Sequence, residues 1–112
     1  MIDRTLDARS FGRRVHEALV LSALDSEAKH GYGIARDVQT DSDGLFAFRF
    51  GTLYPILRRL EQSGLVRSEW SGEGRPRRVY TLTSPRRRHL RAEARIIREL
   101  AAGLLRQVGT DP

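Results

Sequence analysis

Between Gly51 and Val66 the sequence GTLYPILRRLEQSGLV holds a helix start, an apolar stripe, a helix stop and the entry to a strand, with no room for a linker between them. Leu53, Leu57 and Leu60 recur at helical spacing, which buries one face of the segment. Gly51 and Thr52 supply a turn and an N-cap. Pro55 is tolerated in a first helical turn, where its missing N–H has no partner to lose, and Gly64 is the residue type that accepts the left-handed backbone past a helix end. The spacing predicts a helix from about Thr52 to Ser63 that runs straight into extended chain. Its other face carries Tyr54, Arg58 and Arg59, and a use for that face has to be found.

The flanking elements narrow the answer. From about Ala8 to Asp25, Phe11, Val15, Ala18, Leu19 and Ser22 follow helical spacing, with Leu21 and Leu24 widening the apolar face. A second, short helix opens at His30 and runs from Gly31 to Gln39 with Tyr32, Ile34, Ala35 and Val38. The polar run TDSDG from Thr40 to Gly44 ends it. Phe46, Phe48 and Phe50 alternate with Ala47 and Arg49, a period of two that predicts a short strand with one buried face. Leu65 to Trp70 and Arg77 to Thr83 read as two strands joined by the loop SGEGRP. A last helix, capped by Thr83 or Ser84 with Pro85 in its first turn, continues to Val108. The predicted order is helix, helix, short strand, helix, two-stranded hairpin and long helix.

At 112 residues the chain is one unit by length, with a single modest core. Cysteine is absent, which excludes disulfides, cysteine-ligated zinc, iron–sulfur clusters and thiol redox sensing. No run of about 18 apolar residues exists, and the N-terminus MIDRTLDARS lacks the apolar core of a signal peptide, so a cytoplasmic protein without membrane contact is expected. The formal net charge is +6, which favours polyanionic partners. Lys29 is the only lysine, so an arginine-rich coding bias would also raise the charge, and placement has to decide. Arg58 and Arg59 lie on the third helix and Arg49 precedes it. Arg67, Arg75, Arg77 and Arg78 cluster on and beside the hairpin, against only Glu69 and Glu73. Three helices followed by a basic hairpin describe a winged helix-turn-helix, whose third helix enters the DNA major groove while the hairpin touches the flanking backbone or minor groove. The expected fold class is mainly α with a small β-hairpin, a winged helix-turn-helix followed by a C-terminal dimerisation helix.

The residues also carry a family resemblance. HGYGI from His30 to Ile34, GTLYPILRRLEQSGLV from Gly51 to Val66 and GEGRPRRVYTLT from Gly72 to Thr83, with their spacing, resemble the PadR family of bacterial transcriptional regulators, in the compact branch with a single C-terminal helix. The resemblance maps Thr52, Tyr54 and Arg58 or Arg59 onto the DNA-facing recognition helix, Arg75 onto the wing, and Leu53, Leu57, Leu60 and Leu65 onto the core. It implies a homodimeric repressor released by a small ligand, often phenolic or aromatic, held near the dimer interface. Some relatives sandwich flat drugs against a tryptophan of the final helix, whereas the only tryptophan here is Trp70, at the end of the first hairpin strand. Where the family runs from LT into an acidic residue and a glycine, this chain has SPRRR, which leaves the start of the last helix open. Arg86, Arg87 and Arg88 either reach the DNA flank or are simply solvated, the commoner use of a charge run that opposes the dipole at a helix start.

The chemistry of the mapped residues agrees with this. Thr52 and Tyr54 at a helix start offer hydroxyl and backbone N–H contacts to a phosphate, which the helix dipole also favours. An arginine in the groove can bond a guanine edge bidentately, worth about 1–3 kcal/mol against a wrong base. Arg49, Thr52, Tyr54, Arg58, Arg59, Arg75, Arg77 and Arg78 are the candidate contacts to double-stranded DNA. Whether Arg58 or Arg59 faces the bases is open, since Arg59 also suits a solvated charge beside Glu61, and Tyr54 a bond within its own domain.

On the last helix, Leu90, Ala94, Ile97, Ala101, Leu104 and Val108 are spaced 4, 3, 4, 3, 4, a heptad-like seam that Ile96, Leu100 and Leu105 broaden. Packing on the chain's own first helix is one use for it. A homodimer is the other and is expected here. Residues 1–83 then form the DNA-binding domain, its first helix also touching the partner, and 84–112 the dimerisation helix and tail. His16, His30 and His89 stand apart without a serine or carboxylate constellation, and no phosphate-cradling glycine loop is present, so neither an enzyme nor a cofactor is expected. Two rivals stay open, a winged-helix module that binds a protein and never touches DNA, and an RNA-binding winged helix.

Overall fold

The computed structural model describes residues 7–25, 27–83 and 86–109, without the side chains of Ala8, Arg86, Arg87 and Arg88. Its elements are α1 (Ala8–Ala23), β1 (Lys29–His30), α2 (Gly31–Asp41), α3 (Phe50–Gln62), β2 (Val66–Ser71), β3 (Arg77–Leu82) and α4 (Arg86–Val108). The architecture is mainly helical with a small antiparallel sheet, as the periodicities predict.

Asp7 caps α1 by accepting a hydrogen bond from the Ser10 amide at 2.8 Å. That bond, first among its causes, holds the Asp7 carboxyl below its ordinary pKa. Val20, Leu21, Ala23 and Leu24 bury the end of α1 against Ile34 and Val38 of α2 and Leu53, Ile56, Leu57 and Leu60 of α3. Val66, Tyr80 and Leu82 close this core from the sheet. Each large aliphatic side chain removed from water there contributes roughly 1.5–3 kcal/mol, so the core alone fixes how the three helices sit. Beyond α2 the chain turns through left-handed Asp43 and Gly44 (φ 53° and 80°), and the Gly44 amide reaches the Gln39 carbonyl at 2.8 Å.

The short strand expected at Phe46 to Phe50 is absent. Phe46 and Phe48 do pack on the core, and the Phe48 ring meets His16 edge-on at 5.3 Å. Their alternation anchors an irregular connection that has no neighbouring strand to pair with. Phe50 is already helical, is 46% exposed and stacks on Tyr54 at 5.8 Å.

The third strand lies elsewhere. β1, only two residues long, pairs antiparallel with β3 through Lys29↔Tyr80 and His30↔Val79. β2 pairs with the other edge of β3 from Val66↔Leu82 to Ser71↔Arg77, giving the order β1-β3-β2. The Lys29 ammonium fixes this corner by donating to the Ala23 carbonyl and pairing with Asp37 at 3.1 Å.

α3 starts two residues before the expected Thr52. Arg49 is its N-cap, with no side-chain capping bond, and its carbonyl accepts from the Thr52 and Leu53 amides at 2.9 Å. Pro55 therefore sits in the second turn, and the Gly51 carbonyl lacks its usual helical donor. Gly51 is exposed, so water replaces that donor at low cost. The stop is where it was expected: Gly64 is left-handed (φ 80°), and the Leu65 amide bonds back to the Leu60 carbonyl at 3.0 Å.

Thr83 closes the hairpin rather than capping a helix: its hydroxyl donates to the Gly64 carbonyl at 2.6 Å and its amide to the Leu65 carbonyl at 3.1 Å. Ser84 and Pro85, also expected at the start of the last helix, lie outside the described residues. The 23 residues of α4 span about 35 Å at 1.5 Å per residue, in a molecule 55 Å along its longest axis. The first half of α4 lies on α1, where Arg14 pairs with Glu93 at 2.9 Å and Leu90 packs on the core. The second half leaves the domain, with Leu104, Leu105 and Val108 each more than half exposed.

Candidate nucleic-acid interface

The buried stripe of α3 turns Gly51, Pro55 and Arg58, at steps of four and three, to the opposite, exposed side. Gly51 and Pro55 carry no polar side chain, so Arg58 is the long cation at the centre of this outer face. Thr52 and Arg49 are exposed at the N-terminal end. Tyr54 flanks the stripe and reaches toward the start of α2: a Cβ added at Gly31 would lie 3.1 Å from the Tyr54 hydroxyl.

Arg59 points elsewhere. Its Nε donates to Glu17 Oε2 of α1 at 3.3 Å, and it lines a polar cleft between α1, α3 and α4 together with Arg14, His89 and Glu93. The two neighbouring arginines thus serve different sides of α3, and Arg59 does not join the other candidate DNA contacts.

The wing presents its arginines unequally. Arg75 lies in the exposed loop beside left-handed Gly74 (φ 75°), and Gly72 (φ 97°) opens the same turn. Arg77 is exposed and has no carboxylate partner among the described residues. Arg78 is held: its Nε donates to Ser68 Oγ at 2.8 Å, Ser68 Oγ donates to Glu61 Oε2 at 2.6 Å, and Arg78 Nη2 lies 3.7 Å from the same carboxylate. Its guanidinium also lies 5.4 Å from the Trp70 ring centre. The chain of bonds ties the middle of the hairpin to the last turn of α3, so Arg78 sets the angle between wing and helix.

Between α3 and the wing lies a cleft of about 680 Å³, lined by His30 of β1, Gly31 and Tyr32 of α2, Phe50 and Tyr54 of α3, and Trp70, Pro76, Arg77, Arg78 and Tyr80 of the wing. Burial pushes the Tyr80 phenol above its ordinary pKa, so it stays a neutral hydroxyl. Sequence reasoning missed Tyr32 and Trp70 here. The usable signal was Tyr32 directly after Gly31 at a helix start, on the same side as the Tyr54 that was singled out.

The seam residues divide as α4 does. Leu90, Ala94, Ile97 and Ala101 line a groove of about 560 Å³ with Ala18, Ser22 and Asp25 of α1, while Leu104 and Val108 lie beyond it. Packing on the chain's own first helix is therefore realised for the first half of the seam only. Among the described residues no group of three or more His, Asp or Glu could hold a metal ion, and no helix is long and apolar enough to cross a membrane.

Residues 20–92 match the model of the transcriptional regulator PadR-like family. The transcriptional regulator Rv3488 of Mycobacterium tuberculosis is 48% identical over 92 residues, which cover 81% of this chain and 70% of that protein. Among solved structures, a PadR family transcriptional regulator from Eggerthella lenta superposes with a TM-score of 0.68 at 35% identity, covering 86% of this chain and 80% of that one. A transcriptional regulator from Clostridium thermocellum gives 0.74 at 24% identity, over 85% and 93%. Bacillus subtilis PadR in complex with operator DNA gives 0.62 at 21% identity, over 70% and 45%, a likeness of fold. A family match across the winged domain and the start of α4, joined to close identity with a curated regulator, makes this chain a member of the PadR-like family of transcriptional regulators.

Proposed function

We propose that the protein is a homodimeric, sequence-specific DNA-binding repressor that recognises an inverted-repeat operator and is released by a small aromatic effector. The observation that carries the DNA-binding part is that Arg58 of α3 and Arg75 and Arg77 of the wing are all exposed without a carboxylate partner among the described residues, whereas Arg59 and Arg78 are tied down. Free cations sit where phosphates and bases would meet them, and held cations sit where structure needs them. Arg49, Thr52 and Tyr54 would position the helix on phosphates, and Arg58 would read a base edge.

The assembly part rests on the exposed apolar end of α4. Residues 1–83 would form the DNA-binding unit and 84–112 the dimerisation helix, with α1 contributing to the partner contact. Two copies about a two-fold axis would place their α3 helices about one DNA turn, roughly 34–36 Å, apart. Such a protein works in the cytoplasm, with the chromosome.

Binding-site selection followed by footprinting tests this reading. The expected result is a symmetric site and a log–log salt slope near −5 to −9, for about 6–10 neutralised phosphates. An asymmetric footprint would remove the dimeric reading, and a flat salt titration would remove phosphate-driven binding.

A further inference from the structure

We infer that the cleft between α3 and the wing is a seat for one stretch of the DNA sugar–phosphate backbone, and that Tyr32 and Trp70 are contacts to it. The inference rests on the DNA-binding reading above and adds to it a second kind of contact that does not depend on charge.

The position follows from groove geometry. With α3 in a major groove and the hairpin loop reaching the adjacent minor groove, the backbone ridge between the two grooves must pass between α3 and the wing. The cleft occupies that place and is bounded by α2, α3 and both strands of the hairpin. Its lining includes no carboxylate, so nothing in it repels a phosphate.

The chemistry of the walls fits a backbone better than a base edge. Tyr32 and Trp70 are 62% and 66% exposed, and Phe50 and Tyr54 stand beside them at 46% and 44%. Single exposed aromatics need no explanation, but four around one cleft form a patch of the kind that marks a binding surface. Flat rings offer apolar area to deoxyribose, and the phenol hydroxyls and the Arg77 guanidinium offer donors to phosphate oxygens.

The Tyr32 amide, in the first turn of α2, has no intrahelical acceptor and no side-chain cap from His30, so a phosphate oxygen at this wall of the cleft has a backbone donor to meet. The Tyr80 side chain, 5% exposed, forms the floor of the cleft.

Backbone contacts made by uncharged groups have a distinct signature. Losing them weakens every sequence alike, yet leaves the salt slope unchanged because no counterion is involved, whereas Arg77→Ala should flatten the slope by about 0.9. The test measures full-length protein binding two fluorescein-labelled mixed-sequence duplexes across a salt series, comparing wild type with Tyr32→Phe, Trp70→Leu and Arg77→Ala. Tyr32→Phe should weaken both duplexes about tenfold, the scale of one hydrogen bond to a charged group, with the slope retained. Trp70, the only tryptophan, gives an independent signal, since saturating duplex should quench its emission. Wild-type binding that is matched by Tyr32→Phe and Trp70→Leu, with Trp70 emission unmoved, would overturn the seat and leave DNA binding standing. Loss confined to one duplex would equally overturn it, because it would mean base reading. Failure of the wild type to bind either duplex would overturn both readings.

Discussion

The Arg59 guanidinium lies 3.3 Å from the Glu17 carboxylate, so a residue of α3 that sequence alone could assign to DNA spends its charge on α1. Arg58, one position earlier and about 100° around the helix, is exposed. The substitution Arg58→Ala is expected to relax preference at one symmetric pair of operator positions, by about 1–3 kcal/mol per site. Arg59→Ala should keep full sequence preference and lower stability by no more than about 1 kcal/mol, since both partners are partly exposed. Selection of binding sites from random duplexes with each variant checks the division, and relaxed preference in Arg59→Ala would reverse it.

The bonds from Glu61 through Ser68 to Arg78 fix the wing against α3. Glu61→Gln keeps a neutral acceptor but removes the charge that holds Arg78. Hairpin amides should then exchange faster with solvent while core amides of α1 and α3 do not, and all duplexes should bind more weakly by a similar factor. Hydrogen exchange resolved by residue reads the first effect and fluorescence anisotropy the second.

Ile97→Glu combined with Leu104→Glu is expected to give a monomer in light scattering, with operator binding weakened. Leu104 is exposed and Ile97 half-buried in the groove against α1, so charge at these positions spares the three-helix core. An unchanged dimer mass would place the interface elsewhere.

The Asp7 cap gives α1 an acid-sensitive end. Its folded pKa lies below the ordinary value because the ionised form accepts the Ser10 amide. A depressed carboxylate adds stability that is complete above its unfolded pKa and is lost as pH falls through the folded value. Protection factors at Ser10 and Phe11, taken against an unstructured amide at the same pH, should therefore fall below about pH 4, and Asp7→Ala should show the lower protection already at neutral pH.

Much of this fold was legible because its signals are local. The apolar stripe of α3, Gly64 at its end and the glycine-rich loop between β2 and β3 each act within one element, and each was found where its chemistry put it. β1 was not legible, since two residues carry no periodicity and only their pairing with Val79 and Tyr80 defines them. The three phenylalanines misled for a related reason. Alternation at Phe46 and Phe48 reports burial on one side, which an anchored loop shares with a strand, and the hydrogen bonds that distinguish the two come from elsewhere in the chain. At the candidate site, residue types were readable but directions were not. Arg58 and Arg59 differ only in which neighbour lies within reach, and Glu17 is far away in sequence. Arg78 looked equally free until Glu61 and Ser68 were seen beside it.

β3 is the middle strand, pairing on one edge with β1, which precedes α2, and on the other with β2. Closing a pairing across so much intervening chain costs loop entropy before it returns anything, whereas the helices form from near neighbours. The sheet is therefore expected to assemble after the three helices have packed. During synthesis the same order is imposed by the ribosome, because neither edge strand has a partner until Arg77 to Leu82 has emerged. A product that ends before that point would carry α3 with all its candidate DNA contacts, but with no complete wing and no floor beneath Tyr32 and Tyr54.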